Sequence, residues 1–166
     1  MMNTATAANT RSVVVERRIP HSQAKVWRAL TQGPLLEDWL MSNDFEPLVG
    51  HRFTFRMPPM EGWNGVTDCE VLTVEPPDEL AYTWNSSGEE AANGLKTVVR
   101  WTLEPVDGGV LVRMEQSGFR EQDQRNFMGA KYGWERNLGE LERVVARLAA
   151  VTERVTHRAT WRAGRR

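Results

Sequence analysis

Chemistry needs groups that titrate, ligate or attack within reach of one another, and the sequence offers few such sets. His21, His51 and His157 fall in separate segments, and none has a metal-ligand partner at the usual spacing. Cys69 sits in a strand-like stretch without an identifiable histidine partner, which reads as an inert structural thiol. Gly108-Gly109 follows Asp107 between two alternating runs, so it marks a hairpin rather than a phosphate loop. No metal, nucleotide or other cofactor is expected. Asp68, Glu70 and Tyr132 remain as titratable candidates: a buried carboxylate with a raised pKa could act as general acid or base. Irregular alternation around Val71, Leu72 and Val74 leaves open which way Asp68 and Glu70 face.

Recognition is better represented than catalysis. Seven tryptophans are many for 166 residues, and such rings either fill a core or line a pocket. Trp39, Phe53, Phe55, Met57 and Trp84 are expected to converge on one interior space. Trp101, Met114, Phe119, Phe127 and Trp134 join them from later segments. Gln116 ends the apolar row Val110, Val112, Met114 and introduces an amide that can hydrogen-bond but not titrate. It could fix the carbonyl or hydroxyl of a ligand, or satisfy a neighbouring backbone group. Apolar walls with few polar anchors are the usual make-up of a small-molecule site.

These residues need elements to hold them. Residues 12–19 are β-branched and alternate as a strand, which Pro20 ends. Ser22 can cap a helix carrying Val26, Trp27 and Leu30, with Gly33-Pro34 as its stop. Leu35, Leu36, Trp39 and Leu40 then group on one side of a second short helix. The period changes to two from residue 45, and alternating runs predict strands near 52–57, 66–75, 80–85, 97–103 and 110–116. Met57 to Gly65 is a loop, and Pro76-Pro77-Asp78 is a turn. Trp134, Leu138, Leu141, Val145 and Leu148 form one stripe of a long last helix. Gly129, Gly133 and Gly139 each weaken a helix by about 1 kcal/mol relative to Ala, which predicts close backbone approach or a break near Gly129.

Strands segregated from helices argue an α+β fold, with a curved antiparallel sheet wrapped around the last helix. One domain over 12–150 is expected, after a disordered polar segment 1–11 and before a basic tail 151–166. The tail holds five arginines against one acid, so with a net charge of −1 the remainder is acidic and has no basic face for nucleic acid. No stretch reaches the ~18 apolar residues needed for membrane insertion. The start MMNTATAANTRS lacks a secretion pattern, and a lone cysteine suits a reducing compartment, so the cytoplasm is expected.

Four segments, VWRALTQGPLLEDWL, LAYTWNSS, VVRWTLEPVDGGVLVRMEQSGF and GWERNLGELERVVARL, occur in that order. Together they resemble the START-like, helix-grip superfamily often labelled SRPBCC. The resemblance is strongest to bacterial homologues of the C-terminal domain of the heat-shock-protein-90 ATPase activator. It implies a β-α-α-β6-α order with a cavity between sheet and last helix. Position 116 in that family commonly faces the cavity and often holds His, so Gln116 argues against acid–base chemistry there. Members range from lipid binders through cyclases to co-chaperones, so the likeness does not fix a reaction. The leading expectation is a carrier or sensor of an apolar or aromatic small molecule. The alternatives are a cyclase or dehydratase on a hydrophobic substrate and a co-chaperone-like, stress-related interaction module. The latter is weakened because the N-terminal half of the eukaryotic activators has no counterpart in this sequence.

Overall fold

A computed structural model describes residues 9–164, with side chains described through residue 148. The polar start up to residue 8 lies outside the described residues, as do the side chains of the arginine-rich segment and its Trp161. Strand β1 (Arg11–Ile19) leads into helices α1 (Gln23–Thr31) and α2 (Gly33–Trp39). Strands β2 (Ser42–Asn43), β3 (Arg52–Arg56), β4 (Val66–Glu75), β5 (Glu79–Ser86), β6 (Lys96–Val106) and β7 (Gly109–Phe119) follow, and α3 (Gln124–Gly164) is last. The described strands form one antiparallel sheet ordered β1-β7-β6-β5-β4-β3-β2. This is the expected α+β architecture, a sheet wrapped on a long C-terminal helix.

Alternation puts the inward rows where a pleated strand must put them. Thr97, Val99, Trp101 and Leu103 of β6 are buried, as are Val110, Val112, Met114 and Gln116 of β7. Helix α3 packs against β1, β7, α1 and α2 through Trp134, Leu138, Leu141, Val144 and Val145. At about 1.5 Å per residue its 41 residues run well past the longest strand.

Several expectations change. β1 starts at Arg11, paired with Phe119, one residue before the expected boundary. Gly33-Pro34 does not stop α1. Gln32, with φ −98°, caps both helices, and Gly33 and Pro34 form the first turn of α2. Proline fits there because the first-turn N–H it lacks has no helical partner. The bulge in β4 lies between Val71 and Thr73, after Asp68 and Glu70, so it cannot turn them inward. Thr67, Cys69 and Val71 take the buried face instead, while Asp68 is exposed and Glu70 half-buried.

Helix α3 is unbroken at Gly129. Nor does any backbone crowd Gly129, Gly133 or Gly139. A Cβ on Gly129 or Gly133 would meet nothing from outside its own helix turn within 4 Å, and one on Gly139 would come no nearer than 4.0 Å to the Arg17 guanidinium. The first two border empty space.

Candidate functional site

The empty space beside Gly129 and Gly133 is a cavity of about 390 Å³ between α3, the β5–β7 end of the sheet and the loop 57–65. Its helix wall is Arg125, Asn126, Gly129, Ala130, Gly133 and Trp134, followed one turn on by Arg136 and Asn137. Residues four apart share a helix face, so two glycines and an alanine recess the wall by the depth of a side chain. Opposite them stand Trp84, Asn85 and Ser86 of β5, with Leu40, Met41 and Leu95 at the sides.

The loop side is fixed by local hydrogen bonds. Met60 and Trp63 exchange backbone hydrogen bonds of 3.0 Å around Glu61-Gly62, and Met57 N–H donates to Gly65 O at 3.0 Å. Gly65 has φ +85°, and a Cβ there would fall 2.3 Å from Met57 O, so only glycine closes this loop. Asn64 Nδ2 donates to Ser87 Oγ at 3.2 Å, and Ser87 Oγ donates to Val66 O at 3.1 Å, tying the loop to the end of β5. Met57 and Trp63 are thereby held on the cavity wall.

The floor carries a polar relay. Trp134 Nε1 donates to Gln116 Oε1 at 2.8 Å, Gln116 Nε2 to Thr97 Oγ1 at 2.9 Å, and Thr97 Oγ1 to Trp84 O at 2.6 Å. An indole N–H can only donate, so it fixes the carbonyl end of the amide toward α3. Thr97 spends its one hydroxyl proton on Trp84 O and must accept from the amide. Gln116, 2% exposed, therefore has a defined orientation, with one N–H and one lone pair still uncommitted at the cavity. It is bonded to two side chains, not to the backbone group that one reading of the sequence anticipated.

Ten of the eleven residues singled out by sequence divide in two, and Phe127 stands apart. Met57, Trp84, Gln116, Phe119 and Trp134 line the cavity. Trp39, Phe53, Phe55, Trp101 and Met114 are buried in the core, where Trp39 Nε1 donates to Ala29 O at 2.9 Å and Trp101 Nε1 to Tyr82 Oη at 3.0 Å. Phe127 packs edge-on against Phe119 at 5.4 Å, with the Arg11 guanidinium 4.0 Å above its ring. The two groups meet through ring contacts. Trp39, Trp101, Trp134 and Trp84 follow one another at centroid spacings of 5.7, 5.6 and 5.2 Å.

The titratable candidates stand elsewhere. Tyr132 is 79% exposed, Glu70 pairs with Arg52 at 3.5 Å, and Asp68 is on the outer face. Burial, with smaller contributions from Asp68 and Asp44, pushes the Cys69 thiol up, away from the reactive thiolate. Burial likewise raises the Tyr82 phenol, although the Trp101 N–H works against it. Among the described residues no cluster of His, Cys, Asp or Glu could hold a metal ion.

Sequence reasoning missed much of the helix wall. Gly129 and Gly133 carried a signal, small residues four apart beside a tryptophan, but read as close backbone approach or a break near Gly129, and Ala130 was not singled out. Trp63, Leu95 and Met41 lie in loops or at element ends, where periodicity says nothing.

A curved antiparallel sheet gripping a C-terminal helix, with a cavity between them, defines the helix-grip fold of START-like proteins. Residues 20–146 match the family described as Activator of Hsp90 ATPase homolog 1-like protein, and the chain belongs to that family. No match to a curated protein was found. Among solved structures, protein MLL2253 from Mesorhizobium loti is 51% identical, with a TM-score of 0.75 over 82% of this chain and 98% of that one. The Bacillus halodurans protein BH1534 is 24% identical, with a TM-score of 0.67 over 81% and 96%. The Aha1 dimer from Colwellia psychrerythraea is 21% identical, with a TM-score of 0.68 over 81% and 96%. The last two show likeness of fold alone. Among the described residues no helix is long and apolar enough to cross a membrane.

Proposed function

We propose that the chain binds an apolar or aromatic small molecule in the cavity under α3, as a carrier or sensor. The observation that carries this reading is the recess at Gly129 and Gly133. Each glycine costs an exposed helix about 1 kcal/mol relative to Ala. A purely structural helix would gain from filling these positions, since nothing obstructs a side chain there. The vacancy faces Trp84 and Trp134 and has the uncommitted half of an oriented amide at its floor. Leucine, methionine, tryptophan and phenylalanine side chains interleaved with fixed polar groups suit a ligand with a hydrophobic body. Acid–base catalysis is less well supported, because Asp68, Glu70 and Tyr132 do not line the space and Gln116 does not titrate.

The test is thermal unfolding with a panel of apolar and aromatic compounds, on the natural chain and on a Gly129→Leu/Gly133→Leu variant. A ligand at about 100 times its Kd adds about 2.7 kcal/mol to the folded state. The natural chain should melt higher with at least one compound, and the filled variant should fold but lose that response. Equal stabilisation of both proteins, or no stabilisation of the natural chain by any compound, would refute the reading.

A further inference from the structure

The rim of the cavity differs from its interior. Arg125 and Arg136 both line it from α3, one on each side of the glycine recess. Eleven residues apart, they are separated by roughly 16 Å along the helix axis. Both are exposed, and among the described residues neither makes an ion pair or a hydrogen bond. Arg143 of the same helix, by contrast, bonds Glu140 at 3.2 Å. Among the described residues a single acid, Glu90, lines the same cavity, so the rim carries an excess of positive charge over a floor of Trp84, Trp134 and Gln116. The two guanidinium groups thus stand at the mouth of a hollow whose floor holds two indoles and an amide.

We propose that the ligand is an amphipathic anion: an apolar or aromatic body lies along the recess at Gly129 and Gly133, and a carboxylate-like head is held at the rim by Arg125 or Arg136. This rests on the small-molecule reading above and narrows its chemistry. A guanidinium presents a planar fork of donors that matches a carboxylate, and such charge-assisted bonds are stronger than neutral ones. The bare helix lets the body approach the backbone closely, so the head can stay at the mouth in contact with water and need not be desolvated in full. Gln116 meanwhile offers one N–H and one lone pair to a polar atom carried deeper on the body.

Calorimetric titration of the full chain, at neutral pH and low salt, with matched acids and primary amides separates the body from the head. Suitable pairs are decanoate with decanamide, phenylbutyrate with phenylbutyramide, and naphthylacetate with naphthylacetamide. For the pair whose body fits, the acid should bind roughly tenfold more tightly than its amide. In an Arg125→Gln/Arg136→Gln variant that ratio should fall toward one. Lys131→Gln, on the same helix but off the cavity, should leave it intact. Surface changes of this kind alter folding stability little, so all three proteins can be compared. Added salt should weaken the acids and spare the amides. Amides that bind as tightly as their acids overturn the anionic head while the cavity reading stands. An acid preference that survives in the double variant overturns the role of these arginines in the same way. Absence of binding by every acid and every amide overturns both.

Discussion

Gln116 joins three elements with one side chain. Its carbonyl takes the Trp134 N–H from α3, and its amide reaches Thr97 of β6, whose hydroxyl continues to Trp84 of β5. Gln116→Met keeps much of the shape but strands a buried indole N–H. Leaving such a donor unsatisfied costs about 1–3 kcal/mol, which urea unfolding would register as a lower midpoint with unchanged slope. A variant as stable as the natural chain would show that water replaces the amide. The role of Gln116 was only half legible in the sequence. Its place at the end of the row Val110, Val112, Met114 put it on the inner face, because alternation fixes direction. Its partners come from residues 19 positions before and 18 positions after it, and sequence spacing carries no information on such contacts.

At the scale of elements, α3 shows how periodicity can be read correctly and still mislead. Trp134, Leu138, Leu141 and Val145 form the buried stripe their spacing predicts. Gly129 and Gly133 suggested an interruption, since glycine in a helix is usually excused by crowding or by a break. The third possibility, a face left bare toward a cavity, depends on what stands opposite. Gly129→Ala and Gly133→Ala should each raise stability by up to about 1 kcal/mol, because neither added methyl meets an obstacle. Higher unfolding midpoints with weaker ligand response would place the two glycines in a trade between stability and capacity. A drop in stability would mean that the helix is strained there in a way the contacts do not reveal. In β4 the same limit applies in reverse: the bulge was legible in Val71, Leu72 and Val74, but its position, which decides where Asp68 and Glu70 point, was set by pairing with β5.

On the scale of the whole molecule, the architecture was the most legible part, because each long strand and the final helix carry their own pattern and the order of elements leaves few ways to pack them. What fastens the helix to the sheet was not. Asp123, buried just before α3, accepts from Arg120 Nε and Nη2 at 2.9 Å each, while Nη2 also donates to Gly94 O at 2.8 Å. This fork ties the start of α3 to the β5–β6 loop that carries Glu90 and Leu95 to the cavity. The Arg120 hydrogen bonds hold the Asp123 carboxyl below the usual carboxylate range, although burial acts the other way. The folded state therefore binds this proton less tightly than the unfolded chain. Its contribution is complete above the unfolded value of about 4 and is lost as pH falls through the lower folded one. Asp123→Asn should lower stability by about 2 kcal/mol at neutral pH, a figure reduced for the partial exposure of Arg120, with the gap closing in acid. A gap of constant size across that range would show that the charge of Asp123 does not matter.

The four indoles running from Trp39 to Trp84 give the protein a built-in optical gauge. Rings this close exchange excitation faster than they emit, so light absorbed deep in the core can be reported from the end that borders the hollow. An occupant that quenches Trp84 or Trp134 should therefore dim more of the emission than two rings could supply alone, and its arrival can be followed without attaching a dye.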